Sequence, residues 1–127
     1  WPEHIEWWLN NKIYKYGFII NNKPIAFHWI RLIKNKYGRY LVSGWVVDKN
    51  AKNKLNISLK ILKHQTQIVK QKFSKISWII ILKKNNKFVY KINQKMGFKK
   101  ATKISEKSAS NYFKIRLKNY FVMEMKK

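Results

Sequence analysis

Residues Ser77–Lys100 read "SWIIILKKNNKFVYKINQKMGFKK". Trp78–Leu82 is apolar without alternation, the pattern of a strand covered on both faces. Within residues 86–96, Val89, Ile92 and Met96 recur at three- and four-residue steps, which predicts a short helix with those side chains inward. Asn86 suits the N-cap of that helix and Gly97 its terminator. A buried strand running straight into a capped helix is a strand–helix unit, and the rest of the fold is read outward from it.

The preceding segment repeats the theme. Leu55, Leu59, Leu62, Thr66, Val69 and Phe73 form one stripe at helical spacing, with Lys60, Lys63, Lys70 and Lys72 mostly off it. Upstream, "EHIEWWLNNKIY" places Ile5, Trp8, Leu9 and Ile13 near helical spacing. Strands are predicted at residues 18–20, 25–33 and 39–48, joined by turns at Asn21–Pro24 and Tyr37-Gly38. These three make an antiparallel meander. A helix crossing from the third strand to a buried fourth requires those two strands to be parallel. The tail, from "KKATKIS" through "YFKIRL" to "YFVMEM", reads as two or three further strands. The fold class is therefore α/β (α+β): a central mixed, mostly antiparallel sheet flanked by helices.

The length of 127 residues fits one domain, residues 1–127, and 46% apolar content suffices for a core. There is no cysteine, so disulfides, thiolate metal sites and a Cys nucleophile are excluded. No apolar run is long enough to span a bilayer, and the start lacks the cationic and apolar regions of a signal peptide. A cytoplasmic protein with no membrane partner is expected. The first residue is Trp, not Met, and an N-terminally truncated chain is expected.

The net charge of +24 raises the possibility of a small basic nucleic-acid-binding protein. Against it, the cations are scattered Lys, and Arg occurs only at 31, 39 and 116. Arg is the residue suited to bidentate phosphate and base recognition. No specific nucleic-acid partner is expected.

The strand, Asn86, and the helix closing in Gly97-Phe98 resemble the GNAT (GCN5-related) N-acetyltransferase superfamily. The strand ending at Val46-Val47, its loop and the long helix resemble that family's pyrophosphate-binding segment. "EHIEWW" resembles the helix before the second strand in members that acetylate amino sugars on nucleotide carriers. The resemblance implies a GNAT-like sheet lacking the first strand and helix. It implies transfer of an acetyl group from acetyl-CoA to a small-molecule primary amine, without a metal, by a monomer or homodimer. A GNAT-fold domain that only binds is the alternative.

The resemblance also implies which residues act. Val46, Val47, Ala51, Lys52, Asn53, Lys54, Leu55 and Asn56 would meet the cofactor, with Asn86 and Val89 beside its thioester arm. Counting from Val46, Ala51 replaces the family's loop Arg, and Lys52, Lys54 and Asn56 replace its three glycines. Glycines there let backbone N–H groups at a helix N-terminus approach phosphate; Lys52 and Lys54 would supply charge in their place. Asn93 stands where the family often has a Tyr that protonates the departing thiolate. Asn can donate a hydrogen bond there but cannot give up a proton. His28 and Asp48 are candidate general bases, with structural roles as the competing reading. His4, Trp8 and His28 are candidates for the acceptor pocket.

Overall fold

The computed structural model describes residues 13–126. Paired Asn residues, tolerant of left-handed backbone, start the meander. Asn21 and Asn22 take φ of 50° and 63° and turn β1 (Ile13–Ile20) into β2 (Lys23–Asn35). β3 (Gly38–Val47) then pairs antiparallel with β2 along its whole length. β4 (Ser77–Lys83), β5 (Lys99–Lys100) and β6 (Tyr120–Met125) complete one sheet in the order β1-β2-β3-β4-β6-β5. The β3–β4 contact is parallel and every other pairing is antiparallel. The mixed, mostly antiparallel sheet is thus as expected.

Among the described residues three α-helices cover the sheet: α1 (Lys54–Lys72), α2 (Lys87–Lys95) and α3 (Lys103–Phe113). Alternation along β4 feeds two cores. Trp78, Ile80 and Leu82 join Ile30 and Leu41 under Ile68 and Val69 of α1. Ile79 joins Ile33, Tyr40, Val42 and Val122 under Ala109 of α3. This double cover is why β4 has no polar residue from Trp78 to Leu82. α2 is capped as read: the Asn86 side chain accepts from the Val89 N–H, and Gly97 leaves the helix at φ 106°. Phe98, 1% exposed, then turns back against Trp78, with ring centroids 4.7 Å apart at 75°.

Four readings need correction. Ile13, placed in a helix, opens β1, which starts five residues before the expected strand at Phe18. The rest of that expected helix, with Trp8 and His4, lies outside the described residues. The turn after β1 is the two-residue Asn21-Asn22, and Pro24 belongs to β2. The buried side of α1 is Ile57, Ile61, Leu62, Gln65, Ile68 and Val69, whereas Leu55 is 44% exposed. Leu62 and Val69 of the expected stripe are buried, and the isoleucines beside them are buried too, with Ile57 and Ile61 clustered on Ala26.

The fourth correction is α3, read as strand. Its inward residues are Ser105, Ser108 and Ala109, a helical step of small side chains that hydropathy does not register. Thr102 caps it by accepting from the Ser105 N–H, and Glu124 of β6 accepts from the Ser105 hydroxyl at 2.9 Å and the Thr102 N–H at 3.3 Å. Among the described residues no helix is long and apolar enough to cross a membrane.

Candidate active site

β3 and β4 pair only through Tyr40–Ser77, Leu41–Trp78 and Val42–Ile79. Beyond that point β3 stays with β2 as far as Val47, and β4 stays with β6 as far as Lys83. Each strand follows its outer neighbour, and the sheet opens between them. The wedge forms a cleft of about 800 Å³ walled by Val42–Trp45, Ile79–Lys83, Asn85, Asn86 and Val89. Because side chains alternate, residues from both faces of the sheet line the cleft.

Several contacts hold the parting strands. The Trp78 indole N–H donates to Ser43 Oγ at 2.8 Å, across the foot of the wedge. Gly44, two residues past the last closed pair, carries the Trp29 indole over the place a side chain would occupy. From α1, fully buried Gln65 brings Nε2 to 3.3 Å from the Gly44 carbonyl and 3.4 Å from the Trp29 carbonyl. The same Nε2 lies 3.4 Å from His28 Nδ1, and His28 Nε2 lies 3.0 Å from Nδ1 of exposed His64. If Gln65 donates to Nδ1, His28 carries its proton on Nε2 and donates to His64. Burial, and next the neighbouring His64, lower the His28 pKa from 6.5 to about 4. The ring also stacks on Tyr16, with centroids 4.9 Å apart.

Both parallel strands end on the open side of the wedge. Lys49, Lys52 and Lys54 follow β3, and Lys83, Lys84 and Lys87 close β4 and begin α2. Asp48 stands among them, exposed, with its Oδ1 accepting from the Asn50 N–H at 2.9 Å. Asn53 precedes α1 in left-handed backbone (φ 60°, ψ 44°) without a side-chain cap bond. The first-turn N–H groups of α1 lack intrahelical partners by helix geometry.

Of the residues expected at the site, Asn86 and Val89 line the cleft. Lys52, Asn53, Lys54, Leu55 and Asn56 lie at the exposed start of α1, and Val46 is 48% exposed at the end of β3. Val47 and Ala51 pack around Ala26, Ile57 and Ile61. His28 is 2% exposed beneath α1 and does not line the cleft. Asn93, with no exposed surface, does not line it either. Its Nδ2 donates to the Val89 carbonyl at 3.0 Å, and its buried Oδ1 has no partner among the described residues. Sequence reasoning missed Trp29, Arg31, Gly44, Trp45 and Gln65. Glycine inside a strand was the available signal, since it marks a close approach.

A meander, a parallel pair that parts, a helix after each parting strand and a returning final strand define the fold of GNAT acetyltransferases. Two solved structures share it. A domain from Methanocaldococcus jannaschii superposes with a TM-score of 0.69 at 16% identity, covering 98% of this chain and 74% of that one. An acetyltransferase of the GNAT family from Streptococcus pneumoniae superposes with a TM-score of 0.68 at 14% identity, covering 97% and 74%. No protein-family model and no curated protein matches the sequence.

Proposed function

We propose that this chain is an N-acetyltransferase that moves an acetyl group from acetyl-CoA to a small-molecule primary amine, with amino sugars within that class. The observation that carries the reading is the wedge between β3 and β4, where a linear thioester arm fits between strands that have lost each other's hydrogen bonds. The β3 backbone past Val42 has no β4 partner, so those of its N–H groups that face away from β2 are free to polarise a carbonyl oxygen. Lys52, Lys54 and the first turn of α1 would meet the pyrophosphate at the open side. Acetyl-CoA supplies the activated acyl group; the chain supplies position. Residue 93 is Asn and does not line the cleft, so it supplies no acid, and the thiolate would take its proton from water.

The test is release of free thiol from acetyl-CoA across a panel of amines. Amine-dependent release is expected, and Lys52→Glu with Lys54→Glu should raise KM for acetyl-CoA, each contact being worth about 1.5–3 kcal/mol. The replaced loop glycines and Asn93 favour one second reading, a GNAT-fold domain that binds without turnover. Saturable acetyl-CoA binding with no release for any amine would establish it.

A further inference from the structure

On the α3 side the wedge widens into a chamber with mostly apolar walls: Val42, Ile79, Ile81, Phe113 and Ile115. Two described cations line it: Lys83, at the exposed end of β4, and Arg31, half-buried on β2 directly opposite Val42. Its guanidinium carbon lies 5.3 Å from the centre of the Tyr112 ring, which orients the planar group. The described carboxylates are Asp48, Glu106 and Glu124, and none of them forms an ion pair with Arg31. Glu124 is engaged with Thr102 and Ser105, and Asp48 with Asn50. In a chain whose 29 basic residues are nearly all Lys, the one that lines this chamber on β2 is Arg. Its fork matches carboxylate or phosphate in two parallel hydrogen bonds, which a Lys does not.

We propose that the acceptor amine also carries an anionic group, a carboxylate or a phosphate, and that Arg31 holds it in this chamber. The inference rests on the acetyl-transfer reading and adds the acceptor class to it. Arg31 stands level with the last closed pair, Val42–Ile79, while Trp29 stands level with Gly44 inside the wedge. Two residues along a strand span about 7 Å. An anion held at Arg31 therefore directs the far end of a small molecule toward the donor's arm. The apolar walls lower the local dielectric and strengthen that grip. Among the described residues no carboxylate lines the chamber, so they offer a polycation no counter-charge there.

The experiment compares glucosamine 6-phosphate and β-alanine with glucosamine and spermidine, as acetyl acceptors and as ligands by calorimetry, in the parent, Arg31→Gln and Arg31→Lys. At least one anionic probe should be preferred over glucosamine in kcat/KM and in Kd. The phosphate and carboxylate arms show which anion is read. Arg31→Gln should collapse that preference by about 10- to 100-fold, with Arg31→Lys retaining part of it. Circular dichroism confirms that both variants fold. Equal use of anionic and neutral probes by the parent, or a preference surviving in Arg31→Gln, overturns the inference, because the lysine field would then account for it. If nothing is acetylated, the acetyl-transfer reading falls, and Arg31-dependent probe binding alone decides the anion site.

Discussion

The Trp29 indole occupies the volume that a side chain at Gly44 would fill: a Cβ on Gly44 would stand 2.3 Å from its Cζ2 and 2.8 Å from Cε2 and Cη2. The indole is rigid, so either Trp29 or the strand must move. Gly44→Ala should cost about 1–3 kcal/mol. In a Trp29→Ala background the same substitution should cost only a few tenths of that scale. A double-mutant cycle by urea denaturation measures the difference, and additive costs would separate the two residues.

His28 makes stability depend on pH. The unfolded side chain takes up a proton near 6.5, the folded one only near 4. Between those values unfolding binds a proton, so stability falls as pH drops through the window, by at most about 3 kcal/mol. His64 and the Tyr16 ring are the titratable groups that face it. His28→Gln should be less stable at neutral pH and show a flatter loss of urea midpoint from pH 6.5 to 4.5. An unchanged slope would mean that His28 titrates alike in both states.

Asn93 has a buried Oδ1 with no partner among the described residues. An orphaned polar atom costs about 1–3 kcal/mol, and Leu is the better helix former. Asn93→Leu, with the same branching and slightly more bulk, should therefore raise the melting temperature. A lower one would show that the Nδ2 bond to the Val89 carbonyl outweighs the orphan.

Glu124, 6% exposed, meets the N-terminus of α3 from a different strand. Its charge complements the helix dipole. Glu124→Gln should cost about 1 kcal/mol and Glu124→Ala about 2–3 kcal/mol, since the latter strands the Ser105 hydroxyl. Thermal melts of the two variants, which separate charge from contact, supply the check.

The fold was legible where local chemistry and burial agreed. β4 shows its double cover in unbroken apolar residues, α2 shows its ends in Asn86 and Gly97, and the crossover forces the parallel pair. α3 was not legible, because Ser105, Ser108 and Ala109 bury surface without a hydropathy signal. The start of β1 was missed because Ile13 also fits a helical period. The cleft walls were hidden for a different reason. Gln65 and Trp29 acquire their places only when α1 and β2 meet the β3 backbone at Gly44, a long-range encounter that no local pattern encodes.

In the proposed reaction the β3–β4 wedge receives the thioester arm of acetyl-CoA. Val89 lines it, half-buried, on the first turn of α2. Calorimetric titration of acetyl-CoA into the parent and into Val89→Trp tests the claim most directly. Saturable one-to-one binding by the parent is expected, with loss of at least tenfold in affinity when the indole fills the wedge of a still-folded variant. No binding by the parent, or equal binding by both, would contradict it.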